Sequence, residues 1–308
     1  MSTIEQAIQR LETLRRAGVD TALPLPEEGA PHPAAPEPAG KPARSRRTRP
    51  APAADSARKV DINLERLGRA GLVTPAAPRS PIAEEYRVIK RPLLANAQGR
   101  GRAQALRNGN LIMVTSALPG EGKTFTAVNL ALSMAMELDT TVLLVDADVA
   151  RPSILATLGI PDPLPGMMDV LLKPELDLSE VLLRTNVETL SLLPAGTPTP
   201  QATELLASEA MEALLAEMAT RYADRIIVFD SPPLLVTTEA RALAAHMGQI
   251  AMVVEAGKTT HNAVREALAA VETCPNRMLV LNKLPLAGTE RAFNPQADRA
   301  RRYRSPMP

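Results

Sequence analysis

The chain has 308 residues, enough for one large domain or two small ones, and its 35 basic and 34 acidic residues nearly balance. Aromatic residues make up only 2% and tryptophan is absent, which argues against stacking platforms for single-stranded nucleic acid. One cysteine, Cys274, excludes an internal disulfide and a cysteine-based zinc site. No apolar run approaches the roughly 18 residues that span a bilayer, and no signal peptide is evident. We therefore expect a cytoplasmic protein without a nucleic-acid partner.

Charge is distributed unevenly along the chain. Residues 1–110 carry a net charge of +8, residues 111–290 a net charge of −11, and residues 291–308 a net charge of +4. Basic flanks therefore surround an acidic middle, and the charge of the flanks suits an anionic partner.

The first 58 residues divide into two segments. Residues 1–20 are predicted to form a short amphipathic helix, because apolar side chains recur on one stripe and Ser2 and Glu5 have the spacing of a capping box. Nothing in the sequence decides whether this helix frays or docks on a partner. Residues 21–58 are predicted to be a disordered linker, since nine of the 29 residues from 24 to 52 are proline. Its arginines are either solvated or make weak contact with an anionic membrane or with an acidic protein face.

A further helix is predicted to start after Ser80. Ser80 suits the N-cap, Pro81 suits the first helical position, and Tyr86 and Leu93 belong to an apolar stripe. The opposite face is charged, and its residues are Glu84, Glu85, Arg87, Lys90 and Arg91. So many charges are not expected to be buried without partners.

From residue 110 onward, short apolar runs alternate with helical stretches. The predicted strands are 111–115, 141–146, 189–193, 225–230, 249–255 and 278–281, and the predicted helices are 123–138, 202–221, 238–246 and 260–272. Several of the strands are apolar throughout, which requires cover on both faces. The pattern predicts an α/β domain over residues 59–290 with a doubly wound, mostly parallel sheet, followed by a basic flexible tail at 291–308.

The most specific motif lies between the first of these strands and the helix that follows it. The segment SALPGEGKT places Gly122, Lys123 and Thr124 at the strand-to-helix junction, which is the context that a P-loop requires. It predicts a P-loop NTPase fold in which backbone N–H groups and Lys123 bind phosphates and Thr124 binds Mg²⁺. The first position of the motif is alanine in place of the usual glycine. The predicted nucleotide-binding residues are Ala117, Pro119, Gly120, Glu121, Gly122, Lys123, Thr124 and Phe125.

Acidic side chains follow two further apolar strands. Asp146 and Asp148 close the run TVLLVDAD, and Asp230 closes IIVFD. Because the carboxyl ends of parallel strands meet at one edge of a sheet, we expect these carboxylates beside the P-loop. Asp230 would hold the Mg²⁺ shell through water, while Asp146 and Asp148 would bind the ion or accept a proton from an attacking hydroxyl. A lone aspartate at a strand end is more often a helix cap, so the prediction depends on all three occurring with the P-loop.

One weaker pattern concerns the nucleotide base. The strand MLVLNKLP resembles the Asn-Lys-x-Asp element that reads guanine, but Pro285 replaces the aspartate. Without that carboxylate the guanine contact is missing, so ATP is the expected nucleotide. Asn282 either touches the edge of the base or satisfies a turn at the end of the strand.

Taken together, these residues resemble the bacterial tyrosine kinases, and among them the exosortase-associated tyrosine autokinases of exopolysaccharide systems. The resemblance covers about residues 60–285 and rests on the Walker A stretch, the stretch VLLVDADVARP, the Walker B stretch IIVFDSPP and the helix EEYRVIKR. It implies a cytoplasmic, ATP-dependent protein-tyrosine autokinase that regulates exopolysaccharide synthesis or export, with ATP and Mg²⁺ as cofactors. Lys123, Asp146 and Asp148 would be its catalytic residues.

The resemblance also implies partners. In the family, Glu-x2-Arg-x2-Arg on the first helix joins subunits into a ring, and here Glu84, Arg87 and Lys90 match it with lysine in the last place. A separate membrane polysaccharide copolymerase is implied as the activator that recruits the protein to the inner face of the cell membrane. Family members usually end in a cluster of tyrosines, whereas this chain has three tyrosines and only Tyr303 in its tail. Tyr303 is either the phospho-acceptor or an incidental residue of a solvated basic tail.

Two other functions are compatible with the sequence. A Par- or Min-like ATP switch would bind or hydrolyse ATP without forming phosphotyrosine, and the scarcity of tyrosine favours it. Such proteins carry a lysine at the second position of the P-loop, which is Leu118 here, and that disfavours it. The third function is DNA partitioning through the basic flanks, which would appear as salt-sensitive DNA binding.

Overall fold

The computed structural model describes residues 58–99 and 106–284. The predicted helix 1–20 and the predicted tail 291–308 lie outside the described residues, as does the linker 21–58 apart from Arg58. Eight strands occur in the described part: β1 Arg58–Val60, β2 Leu111–Ser116, β3 Thr141–Asp146, β4 Leu183–Thr185, β5 Leu190–Leu193, β6 Arg225–Asp230, β7 Gln249–Glu255 and β8 Asn276–Asn282. The helices of the described part are α1 Leu64–Arg69, α2 Pro81–Gln98, α3 Lys123–Ala135, α4 Ile154–Leu158, α5 Met167–Leu172, α6 Leu178–Val181, α7 Ala202–Leu206, α8 Glu209–Arg221, α9 Glu239–Ala244 and α10 His261–Ala269.

The strands form a single sheet in the order β1-β4-β5-β3-β6-β2-β7-β8. All neighbouring pairs are parallel except β4 and β5, so β1 and β4 run opposite to the other six strands. The predicted α/β fold with a mostly parallel, doubly wound sheet is confirmed. β2 has β6 on one side and β7 on the other, which brings the carboxyl ends of β3, β6 and β2 side by side.

Two hydrophobic cores cover the two faces of the sheet. Successive residues of β2 alternate between them, with Ile112 and Val114 in one core and Leu111 and Met113 in the other. The helices α2 and α3 contribute to the first core, and α5, α8 and α9 contribute to the second. Cover on both faces explains why these strands are apolar throughout.

The described residues differ from the prediction mainly in short elements. The predicted helix 202–221 is two helices, because Ser208 acts as an N-cap and accepts a hydrogen bond from the Met211 N–H at 3.3 Å. β1, β4, α4, α5 and α6 were not predicted; each is only 3–6 residues long, too short to show a periodic pattern.

The predicted helix after Ser80 is confirmed as α2. The Ser80 hydroxyl accepts from the Ala83 N–H at 3.4 Å, and Pro81 occupies the first helical turn. The helix continues past Pro92 and ends at Gly99, which has a φ of 61° in the left-handed region. Among residues 58–99 and 106–284, no helix combines the length and apolarity needed to cross a bilayer.

Candidate functional site

The loop between β2 and α3 has the conformation that the P-loop motif predicts. Gly120 and Gly122 have φ values of 86° and 101°, a region that residues with a side chain rarely adopt. Gly122 also approaches Asn282 closely, since a Cβ at Gly122 would lie 2.2 Å from the Asn282 Nδ2 atom. Ala117 is fully buried at the end of β2, and its methyl group fits that position. The loop leads directly into α3, a helix of 13 residues whose N-terminal amide groups suit an anion.

A buried glutamate fixes this loop from within. The Glu121 side chain is only 2% exposed. Its Oε2 atom accepts from the Leu118 N–H at 2.8 Å, and its Oε1 atom accepts from the Thr259 hydroxyl. Glu121 was predicted to bind nucleotide, but both oxygens of its carboxylate bind the protein. Its side chain shapes the loop, and only its backbone is free to contact a phosphate.

Asn282 lies beside the loop and contacts its backbone. Its Nδ2 atom donates to the Glu121 carbonyl at 2.9 Å, and its Oδ1 atom accepts from the Lys283 N–H at 2.9 Å. Both polar ends of the amide are thus engaged by the protein. These contacts favour the interpretation in which Asn282 satisfies a turn at the end of the strand, and binding of the base by this side chain stays a prediction.

Three carboxylates lie at the neighbouring strand ends, as expected from the sequence. Asp146 and Asp230 end β3 and β6 and are paired in register. The Asp146 Oδ2 atom accepts from the Ser153 and Ile154 N–H groups at 2.9 and 3.0 Å, which fixes this carboxylate at the strand edge. Two residues further on, the Asp148 Oδ2 atom lies 3.2 Å from the Lys123 Nζ atom. The structure thus joins the P-loop lysine directly to the acidic cluster.

Some of these carboxylate oxygens are buried without a partner. Within the described part of the chain, Asp146 Oδ1 and both side-chain oxygens of Asp230 have no hydrogen-bond partner. Burial raises the pKa of Asp146 to about 6 and the pKa of Asp230 to about 7, and the nearby charge of Asp146 adds to the effect at Asp230. Buried anionic oxygens without donors are costly unless a cation binds them. The donor set therefore fits a divalent cation.

The residues that face these oxygens are consistent with Mg²⁺ in particular. The Thr124 hydroxyl lies at the start of α3, 2.8 Å from the Ser153 hydroxyl. Among residues 58–99 and 106–284, no three Asp, Glu, His or Cys side chains are close enough to hold a metal by themselves. Mg²⁺ rarely relies on such a cage, because it keeps several waters and takes phosphate oxygens as ligands. The site suits a metal that arrives with a phosphate compound.

The remaining predicted residues lie apart from this cluster. Glu84 and Arg87 pair with each other on α2, whereas Lys90 is only 4% exposed. The Lys90 ammonium lies 2.8 Å from the Glu137 Oε1 atom and donates to the Ser133 carbonyl, both in the same chain. Lys90 therefore does not lie on a surface that a second subunit can reach, in contrast to the prediction. Pro119 is exposed on the loop, and Phe125 is partly buried against the first core. Tyr303 lies outside the described residues.

Four residues near the P-loop were not predicted from the sequence. Ser153 contacts Thr124, Thr259 contacts Glu121, and Lys283 donates from Nζ to the Gly120 carbonyl at 2.5 Å. Glu255 holds Lys283 from the other side at 3.2 Å. Only the Asn-Lys pair after β8 gave a sequence signal, while the others depend on tertiary contacts.

Comparisons with known proteins agree with this geometry. A family model described as "AAA domain" matches residues 109–284. The tyrosine-protein kinase YwqD of Bacillus subtilis (strain 168) is 31% identical over 208 residues, which cover 68% of this chain and 83% of YwqD. The succinoglycan biosynthesis transport protein ExoP of Rhizobium meliloti (strain 1021) is 32% identical over 237 residues, 74% of this chain but only 28% of ExoP.

Solved structures point in the same direction. The crystal structure of the VpsO kinase domain is 31% identical, has a TM-score of 0.53, and is covered completely by 67% of this chain. The matched part of this chain includes the P-loop and the strand ends that carry the three aspartates. The cluster around Lys123 is therefore the candidate site for a nucleotide.

Proposed function

Because the chain belongs to the bacterial tyrosine-protein kinases, we propose that it is an ATP-dependent autokinase that phosphorylates Tyr303 of a neighbouring copy. The proposal rests on one observation, the contact at 3.2 Å between Lys123 and Asp148 beside the unpartnered carboxylate oxygens of Asp146 and Asp230. A cation, a triphosphate and a proton acceptor are the three requirements of phosphoryl transfer, and this cluster supplies a group for each.

We assign the roles as follows. The P-loop amides and Lys123 bind the phosphates of ATP and offset the charge that develops on the transferred phosphoryl group. Thr124, Asp146 and Asp230 would hold Mg²⁺, which would offset the negative charge of the phosphates. Asp148 takes the proton from the tyrosine hydroxyl as the phenolic oxygen forms a bond to the γ-phosphorus and ADP leaves. Lys123 contacts Asp148 at 3.2 Å, and a contact of the ammonium with phosphate would free this carboxylate to act as the base.

Tyr303 is the proposed acceptor for a reason of access. Of the three tyrosines in the chain, Tyr86 is 5% exposed and Tyr222 is 7% exposed, so neither hydroxyl can enter another active site without unfolding. Tyr303 is flanked by Arg301, Arg302 and Arg304, whereas residues 111–290 carry a net charge of −11. This charge difference favours an encounter between the tail of one copy and the core of another.

The test mixes two complementary variants of the full chain with Mg²⁺ and ATP. Lys123→Met keeps the acceptor without the activity, and Tyr303→Phe keeps the activity without the acceptor. We expect phosphotyrosine on the Lys123→Met chain in the mixture, identified by a size tag and by phosphosite mapping, and none on either variant alone. ATP hydrolysis without any phosphotyrosine, even with an activator present, would favour a Par- or Min-like switch and overturn the kinase proposal.

The relatives suggest a setting for this activity. ExoP is named a transport protein of succinoglycan biosynthesis, and the present chain matches only 28% of it. We propose that this chain acts in the cytoplasm with a separate membrane polysaccharide copolymerase, and that exopolysaccharide synthesis or export depends on it. Replacement of the chromosomal copy by Lys123→Met is expected to change the amount or length of the exopolysaccharide. Co-purification with the copolymerase and a higher phosphotyrosine yield in its presence test the partnership.

We also propose that copies associate through the exposed face of α2. Glu84 is exposed and Arg87 is partly exposed on this face, and Val88, the residue after Arg87, is 69% exposed. An exposed apolar side chain next to opposite charges suits a contact with a second copy.

A further inference from the structure

Two side chains at the end of β8 donate hydrogen bonds to two peptide carbonyls of the P-loop. The Lys283 Nζ atom donates to the Gly120 carbonyl at 2.5 Å, and the Asn282 Nδ2 atom donates to the Glu121 carbonyl at 2.9 Å. We call these two residues the β8 latch. The close approach of Asn282 to Gly122 leaves no room for a Cβ there, so the contact is tight.

Because the peptide bond is planar, a contact that fixes a carbonyl of the loop also fixes the direction of the next N–H group. In a trans peptide, the carbonyl of one residue and the N–H of the next point in opposite directions. A carbonyl of Gly120 held toward β8 therefore aims the Glu121 N–H away from β8, and a held Glu121 carbonyl does the same for the Gly122 N–H. Within the described residues, neither N–H donates to a protein acceptor. Both amides are therefore available to phosphate.

The latch is itself held in place. Lys283 has a φ of 55°, uncommon for a residue with a side chain, and the Asn282 Oδ1 atom accepts its N–H. The Glu255 Oε2 atom lies 3.2 Å from the Lys283 Nζ atom and 3.3 Å from the Lys258 Nζ atom. The left-handed backbone and the ion pair with Glu255 direct the Lys283 ammonium across the loop. Lys258 makes the same ion pair without reaching the loop.

We infer that Asn282 and Lys283 are positioning residues for the triphosphate, which act by aiming the Glu121 and Gly122 amides and do not read the base. The inference rests on the proposed function, because it concerns the same nucleotide site. It makes a distinctive prediction: loss of the latch weakens the binding of any polyphosphate, with or without a base attached. A side chain that touched adenine would affect only the nucleotide.

The test measures binding of ATP and of inorganic tripolyphosphate, each with Mg²⁺, by calorimetry on the full chain. Asn282→Ala and Lys283→Met are expected to weaken both ligands by the same factor, roughly tenfold for one lost hydrogen bond to a preorganised loop. Asn276→Ala is the matched control on the same strand, since it loses a contact to the Gln249 Oε1 atom at 3.1 Å far from the P-loop. Lys258→Met is the control for the ion pair with Glu255. Both controls should bind like the parent.

Kinetics and stability separate positioning from general damage. We expect the KM for ATP to rise in the latch variants while kcat at saturating ATP changes little, and the melting temperature of the free Asn282→Ala chain to fall no more than that of Asn276→Ala. The inference is overturned if Asn282→Ala weakens ATP but leaves tripolyphosphate unchanged, or if Lys283→Met behaves like Lys258→Met. If the parent binds both ligands yet forms no phosphotyrosine, the kinase proposal fails and the latch stands.

Discussion

Lys123 and Asp148 form an ion pair at 3.2 Å, with side chains that are only 12% and 7% exposed. The pair links the P-loop to the acidic strand ends. One ammonium cannot serve Asp148 and the phosphates equally, so nucleotide binding and release of Asp148 are coupled in our proposal.

Substitutions of Lys123 and Asp148 should therefore have different effects on nucleotide binding and on phosphotransfer. Lys123→Met is expected to weaken nucleotide binding and to lower phosphotransfer by on the order of 10²–10³, because it removes the charge that faces the transferred group. Asp148→Asn should keep Mg²⁺-ATP affinity within a few-fold and still lose phosphotransfer, because it removes the base. Calorimetry and single-turnover phosphotyrosine formation measure the two quantities. Equal loss of binding in both variants would contradict the assigned roles.

Buried Asp230 should make the free chain less stable as the pH rises. Burial raises its pKa to about 7 from the ordinary 3.8, so between these values the folded state holds a proton that the unfolded state has released. The free energy of unfolding then falls from about pH 4 through pH 7. Asp230→Asn removes this term and should be more stable than the parent at pH 8, by on the order of 2–4 kcal/mol.

Chemical denaturation in EDTA without nucleotide, from pH 4 to pH 8, measures this difference. Asp139→Asn is the control, since Asp139 is exposed and its substitution should leave the profile unchanged. The raised pKa of Asp146, about 6, contributes in the same direction and is common to all three proteins. A parent whose stability rises over this range would contradict the prediction.

The ion pair between Asp177 and Arg221 should stabilise the chain at neutral pH. Two hydrogen bonds of 3.0 and 3.2 Å join the carboxylate to the guanidinium. Burial tends to raise the pKa of Asp177, but the hydrogen bonds from Arg221 and Ser179 and the charge of Arg221 outweigh it and lower the pKa to about 2. The stabilisation is therefore complete above about pH 4 and is lost as the pH falls through 2.

We expect Arg221→Met to lower the free energy of unfolding by about 1–2 kcal/mol at pH 7 and the difference to shrink toward pH 2. Arg69→Met removes a pair with Glu65 in which both side chains are more than 80% exposed, and it should have no measurable effect. Denaturant titrations at the two pH values give both results. A similar loss of unfolding free energy in both variants would mean that the geometry of the pair between Arg221 and Asp177 does not add to stability.

The residues of the family ring pattern should separate into two groups. Lys90→Ala leaves the buried Ser133 carbonyl without its donor and should lower the free energy of unfolding by about 1–3 kcal/mol, with no direct effect on association. The double variant Glu84→Ala/Arg87→Ala should do the reverse and reduce association while stability is unchanged. Sedimentation velocity with Mg²⁺-ATP and chemical denaturation distinguish the two. Loss of association in Lys90→Ala at full stability would restore the interface role of Lys90.

Much of the fold and the centre of the site follow from local patterns. The uniformly apolar strands require cover on both faces, and the junction of β2 and α3 requires glycines where the φ values are 86° and 101°. The placement of Asp146, Asp148 and Asp230 follows from the rule that parallel strands end at one edge. Each of these inferences can be made from a short stretch of sequence and from the known ways in which proteins bind phosphate.

What the sequence could not supply were contacts between distant residues. The sequence alone determined that Lys123 lies in a P-loop and that three aspartates lie at or just past the strand ends beside it, because strand-end position and glycine geometry are local properties. Only the tertiary structure decided that Lys90 turns inward to Glu137, that Glu121 is tied to Thr259, and that Asn282 and Lys283 contact the loop. Each of these depends on which polar group packing brings within about 3 Å, and neither spacing nor composition encodes that distance.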